Sequence, residues 1–276
     1  GLHVRQGGTF TGGSGTHTMG SIVVDNNAAA KFTNTSGTAT VNGHSNDSTR
    51  SILIAANSVC VAAGTMDLTY GTASNIQCGN AAGINNLTLT GNVTYTQSNS
   101  LLMTGALIVT SGTTLTTSGS NYALTVTGAV SGAGTLTGNA SEISMGSFGI
   151  SGTYSATTHA NGTIITDRAG AGYQLSCAVA DIVHNNGTFD FRGSSGGGSD
   201  IRLNGASDGT NGLHKVIINA SGRTVSLNSY GLTINGALII TAGTFSTSAS
   251  NYALTVNADE TDIQAAGTLT GNASAI

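Results

Sequence analysis

Proline is missing altogether from this 276-residue chain, and so is tryptophan. Each proline would remove a backbone donor from a strand ladder, so its absence fits a chain paired nearly everywhere. Charge is almost as scarce: 7% of residues are Asp, Glu, Lys or Arg, where roughly 25% is usual. The eight Lys and Arg residues run singly from Arg5 to Arg223. They supply no clustered basic patch for phosphates, which excludes a nucleic-acid groove. Disorder is excluded too, because it goes with low hydrophobicity and high net charge; here 38% of residues are hydrophobic and the net charge is −4. No apolar run reaches the ~18 residues of a membrane helix. The best, "SILIAANSVCVAAG" (51–64), is interrupted by Ser and Asn. Cysteine is limited to Cys60, Cys78 and Cys177, and none has the CxxC spacing of a zinc or thioredoxin-like site. No metal, cofactor or catalytic residue is expected.

What is present is alternation. "LTLTG" (87–91), "VTYTQ" (93–97), "TLTTSG" (114–119), "YALTVTG" (122–128), "TLTG" (135–138) and "TFST" (244–247) put Leu, Val, Ile or Tyr on one face and Thr on the other. Such period-2 runs read as half-buried strands. Inward positions are expected at Leu87, Leu89, Tyr122, Leu124, Val126, Leu232, Ile234, Tyr252, Leu254 and Val256, with Tyr122 and Tyr252 at equivalent inward or corner sites. Each run ends in Gly, Asn or Ser, the residues of tight turns. Segments 101–120, 121–140, 141–160 and 231–250 come into register when laid one over another. That period predicts an all-β parallel β-solenoid with coils of about 20 residues, a single continuous stack over 1–276 of about thirteen coils. Positions 1–84 are less regular.

A longer repeat lies over the short one. "GALIVTSGTTLTTSGSNYALTV" (105–126) returns as "GALIITAGTFSTSASNYALTV" (236–256), one residue shorter, and "AGTLTGNASEI" (133–143) returns as "AGTLTGNASAI" (266–276). The blocks 105–143 and 236–276 are therefore read as duplicated coils. The second copy stops within the repeat and the start lacks Met, which predicts a fragment of a longer repetitive chain. Gly1 and Ile276 are expected at opposite ends of the stack, with further repeats or other copies joining end to end in a filament.

The segments "LTINGALIITAGTFSTSASNYALTV" and "VHNNGTFDF" resemble the β-solenoid stalks of filamentous-haemagglutinin and autotransporter-like adhesins, and giant Thr/Gly/Asn-rich surface proteins of uncultured bacteria. The resemblance implies a structural or adhesive segment of an extracellular or cell-surface fibre, without catalysis. Further partners would be surface carbohydrate or a host or prey cell surface.

Several residues invite sharper readings. "GSSGG" (193–197) matches GxSxG around Ser195, but no strand–turn–helix elbow surrounds it. Asp181 with Asp200, and Asp190 with Asp208, are spaced by about one coil; stacked, either pair would suit acid/base hydrolysis or Ca²⁺. The plainer expectation is that Arg192 and Arg202 neutralise them. A carbohydrate-binding or carbohydrate-cleaving β-helix is accordingly the alternative function. His3, His17, His44, His159, His184 and His214 fall singly. Sequons such as "NLT" (86–88) are expected from composition alone. Cys60 and Cys78, also spaced close to one coil, are candidates for a staple between neighbouring rungs, leaving Cys177 unpaired. Outward Thr-x-Thr suggests an ice-binding solenoid as a third reading, although the runs do not recur at every coil.

Overall fold

The computed structural model describes residues 1–34, 36–44, 50–79, 83–149, 162–168, 172–184, 186–193, 199–205, 207–208, 210–257, 260–274 and 276. It is a parallel β-solenoid with no α-helix among the described residues. The chain divides into two compact units, Gly1–Leu136 and Thr137–Ile276.

Three strands per coil build three stacked faces in the first unit. Face one stacks Leu2–Val4, Ile22–Val24, Arg50–Ile54, Ser74–Cys78, Thr94–Gln97 and Thr114–Thr116. Face two begins with Thr9–Thr11 on Lys31–Asn34, and face three with His17–Met19 on Thr38–Val41. The ten-residue strand Val59–Leu68 then joins both faces, its first half on Lys31–Asn34 and its second on Thr38–Val41. These pairings are all parallel, as expected when a chain winds in one sense and each rung lies on the last.

The second unit repeats the plan. One face stacks the start of Glu142–Gly149 with Thr163–Thr166, Thr188–Phe191, Lys215–Leu227, Leu238–Ser246 and Thr261–Thr270. Six rungs on this face make five turns, and the seven strands of face one, which ends in Thr135–Thr137, make six, fewer than thirteen in all. The reason is coil length. On face one Leu2 pairs with Ile22, Ile22 with Ile52 and Ile52 with Ile76. The first of these steps matches the sequence period, whereas the second is half as long again and the third is also longer. Both of these wide steps fall within positions 1–84, where the regular frame fails, and the second unit has further long steps. They do not break the faces.

Burial follows the alternation. Leu87, Leu89, Leu124, Val126, Leu232, Ile234 and Leu254 are buried as expected. Tyr122, Tyr252 and Val256 are only half-buried. Both tyrosines directly follow an asparagine with positive φ (56° at Asn121, 57° at Asn251), which turns them to a corner. Val256 lies on the last described rung of its face. The largest buried side chains include Phe32, Tyr95, Phe148, Phe191 and Phe245. Buried tyrosines usually find a partner for the hydroxyl, and Tyr95 donates to the Thr90 and Tyr70 carbonyls (2.9 and 3.2 Å). Burial pushes its pKa up to about 12.

The duplicated corner is reproduced bond for bond. In one copy the Tyr122 N–H donates to the Thr117 carbonyl, Asn121 N–H to the Ser118 carbonyl and Ser120 N–H to Ser118 Oγ; in the other, Tyr252, Asn251 and Ser250 do the same with Thr247 and Ser248. The approach to the corner differs. Leu107–Val109 and Thr114–Thr116 are separate strands, joined by a turn in which Thr113 N–H bonds the Thr110 carbonyl at 3.0 Å. The shorter copy has no counterpart of one residue of that turn and runs as the single strand Leu238–Ser246. Gly243, at φ 85°, makes this possible: a Cβ there would run into the Ala220 carbonyl of the rung below.

Among the described residues, six of the ten non-glycine residues with positive φ are asparagine, which makes Asn the corner residue of this fold. Asn251 also reaches the next rung, where its Oδ1 accepts the Ala273 N–H at 2.9 Å. Replacing Asn251 by Ala is expected to destabilise by about 1–2 kcal/mol. Replacement by Gly is expected to cost less, because Gly keeps the left-handed conformation and loses only the bond to Ala273. Denaturant unfolding of the two variants checks this; equal losses would show that the Asn side chain, and not its backbone conformation, holds the corner.

Candidate functional site

Rung steps decide which candidate residues meet. Across the middle of the second unit Leu175 pairs with Ile201, Thr163 with Thr188 and Thr188 with Lys215. Each of these steps is longer than the sequence period. Residues one such period apart therefore do not stack here, and neither aspartate pair forms. Asp200 lies between Tyr173 and Ser226 on its face, and accepts from Asn228 Nδ2 at 3.0 Å. Asp181 is buried in a single 3-10 turn, where it accepts the Ala178 N–H at 3.0 Å. Asp190 lies between Ile165 and Ile217, and Asp208 in an exposed turn. Arg192 does neutralise Asp190 at 2.8 Å. Arg202 instead sits 5.7 Å over the Tyr173 ring.

The same logic separates Cys60 and Cys78. Cys60 pairs in register with Phe32 on face two and Cys78 with Ile54 on face one, so no rung-to-rung staple of one above the other exists. Cys177 is buried, and burial, followed by the nearby Asp181 carboxylate, raises its thiol pKa far above the usual range. Such a thiol is inert as a nucleophile at neutral pH. Ser195 and His159 lie outside the described residues.

The polar cluster that does form was not legible as a motif. His184 and His214 stack with ring centroids 5.1 Å apart and planes at 20°. Long steps bring them together. The segment holding Val183 bridges antiparallel to Asn211, and Leu213 bridges parallel to Ile234. His184 is buried, and its Nδ1 accepts the Asn186 N–H at 3.2 Å. Asn235 Nδ2 lies 3.5 Å from His184 Nε2 and donates to the Asp208 carbonyl oxygen. The Asp208 carboxylate accepts the Thr210 and Asn211 N–H groups (2.8 and 2.7 Å). These bonds, that of Asn211 foremost, hold its pKa below the usual carboxylate range. Ser207 Oγ is engaged by the Leu213 N–H. Together the contacts pin a corner. No group of three or more His, Cys, Asp or Glu suited to a metal ion occurs among the described residues.

No protein family, curated protein or solved structure matches the chain. The arrangement itself must carry the functional reading.

Elsewhere His3 bonds Asp25 at 2.6 Å and accepts from Arg5 Nε at 2.8 Å, His17 packs edge-on against Phe10 and bonds the Gly12 carbonyl, and His44 packs edge-on against Tyr70. The stacked pair has a pH consequence. Burial, and then the neighbouring His184, lower the pKa of His214 below 6.5. The unfolded chain therefore takes up this proton first, so stability is full above about pH 6.5 and is lost as pH falls below it. The Asp208 carboxyl, also lowered, acts in a separate window below pH ~4. Denaturant midpoints between pH 7.5 and 5 are expected to fall for the native chain and to flatten in His214→Phe. An equal slope in that variant would place the pH dependence elsewhere.

Proposed function

We propose that this chain is a structural segment of an extracellular or cell-surface fibre and performs no catalysis. One observation carries the reading: the corners 117–122 and 247–252, in different units, hold the same backbone and side-chain bonds. Coils of this kind lengthen by duplication without a new core, and each added rung supplies a template for the next. The scarcity of charge fits stacking, because identical positions lie about 4.8 Å apart and like charges would repel. Further repeats or other copies, joined end to end, are the partners this reading implies. Load along such a fibre would be borne by every hydrogen bond of a rung in parallel. Single-molecule pulling of the chain between two helical reference domains is the test. The expected result is unfolding forces above those of the reference domains, together with end-to-end filaments in electron micrographs of concentrated protein. Low unfolding forces combined with a strictly monomeric solution state would overturn it.

A second reading, carbohydrate binding, is favoured by one local feature. Tyr230 is an exposed aromatic, 38% accessible, beside a groove lined by Gly231, Thr233, Ala253 and Thr255. An aromatic ring next to hydroxyls and a glycine floor suits the apolar face of a sugar. Glycan-array binding that disappears in Tyr230→Ala would shift the assignment to this reading; an array without signal would remove it.

A further inference from the structure

The outward rows of the second unit contain a regular grid of hydroxyls. Thr224, Thr244 and Thr268 align in register on consecutive rungs, and Ser226, Ser246 and Thr270 form a second row beside them. Between the rows Val225 and Phe245 point inward and are buried. Neighbouring rungs are about 4.8 Å apart, and alternate residues along a strand about 6.7 Å, so the six side chains define a nearly rectangular lattice. No charged residue belongs to it. Arg223 precedes the first position and is not part of the grid.

Two independent features show that the grid is more than a consequence of β-propensity. First, its register is reset separately from the core. Val216 pairs with Leu238, and that register carried onward would put Thr224 on Ser246 and Ser226 beyond the end of the strand. Instead Thr224 pairs with Thr244 and Ser226 with Ser246. On the next rung Leu238 pairs with Thr261, a register that would put Thr244 on Gly267. Thr244 pairs with Thr268. Irregularities between core and grid restore the two complete hydroxyl rows each time. Second, a trough runs across the same three rungs, lined by Thr224, Thr244 and Thr268 with Gly222, Gly243 and Ala266, and also by Ser221 and Arg223. Small residues beside the hydroxyl row leave room for a file of water molecules held at rung spacing. The first unit carries the same device: Thr94 pairs with Thr114 and Thr96 with Thr116, and the Thr135 N–H bonds the Thr113 carbonyl, which brings another Thr to the next rung.

We propose that the hydroxyl grid 224–226, 244–246 and 268–270 is a binding surface for ice. A grid of this kind binds best to a solid with a matching repeat. The oxygen rows of ice repeat on the scale of the rung spacing, and ice is uncharged, as the grid is. Each Thr offers a hydroxyl to a lattice water and a methyl that limits competing water positions. The methyls and the fixed β backbone preorganise the surface, so little ordering is needed on contact. This activity is additional to the structural role and does not depend on it.

The test is partition of the purified 276-residue chain between a slowly growing ice front and the liquid, with inhibition of ice recrystallisation as the second readout. The native chain is expected to enrich in the ice fraction, and T244K/T268K to lose that enrichment by about tenfold. Thr127→Lys, at an exposed strand position of the first unit outside its Thr rows, is expected to leave it unchanged. T244S, which keeps the hydroxyl and removes one methyl, is expected to fold and to weaken binding less than T244K/T268K; a loss as large as that of the double variant overturns the role of the hydroxyls. Exclusion of the native chain from ice, to the same degree as serum albumin, overturns the proposal. So does equal loss in Thr127→Lys, or retention on crystalline cellulose with none on ice.

Discussion

The coil-to-coil backbone ladder is the constraint from which the rest of this molecule follows. Each strand donates and accepts along its length to the rung on either side, in parallel and in register. One such bond contributes only about 0.5–1.5 kcal/mol net, but leaving one unmade inside the stack costs more. A proline anywhere on a face would leave a carbonyl of the next rung without its donor. A charge would be placed over its counterpart one rung away. The missing proline and the sparse charge are therefore one requirement expressed twice.

The ladder fixes the faces but leaves the corners free. Register steps on face one of the first unit are unequal, the step from Ile22 to Ile52 being the widest, yet Leu2, Ile22, Ile52 and Ile76 still stack. Added residues are absorbed where the chain turns, because loop length costs little once the ends are fixed. The duplicated block shows the same tolerance at the smallest scale. One residue fewer before the second corner turns two short strands into Leu238–Ser246, while the hydrogen bonds of the corner at Ser248–Tyr252 are unchanged from those at Ser118–Tyr122. A face can therefore keep its chemistry while its connections drift.

This division also explains what the sequence disclosed. Alternation identified Leu87, Leu89, Leu124, Leu232 and Leu254 as inward, because side-chain direction within a strand depends only on local period. Corner residues were harder: Tyr122 and Tyr252 continue the alternating pattern on paper, but the left-handed Asn before each turns them partly outward. Contacts between coils were not legible at all where turns are long. Asp181 with Asp200, Asp190 with Asp208, and Cys60 with Cys78 were paired by a fixed period that does not hold in their coils. The same hidden turn lengths bring His184 onto His214, which no spacing rule would suggest. Of the two arginines expected to neutralise these aspartates, Arg192 reaches Asp190 at the end of its own strand, whereas Arg202 lies over Tyr173.

Because inward and outward residues alternate, a solenoid's core and its surface are selected almost independently. The inward row Val225, Phe245, Leu269 varies in size from rung to rung, as a core filled by neighbouring faces permits. The outward rows Thr224, Thr244, Thr268 and Ser226, Ser246, Thr270 keep one functional group throughout. Packing alone would not require that sameness, since any β-branched or small polar residue satisfies an exposed strand position. Uniformity on the outside combined with variety on the inside is the reverse of what a purely structural stack needs. The repeated corners account for how coils are added, whereas the sameness of the outward hydroxyl rows is a feature that neither corners nor core require.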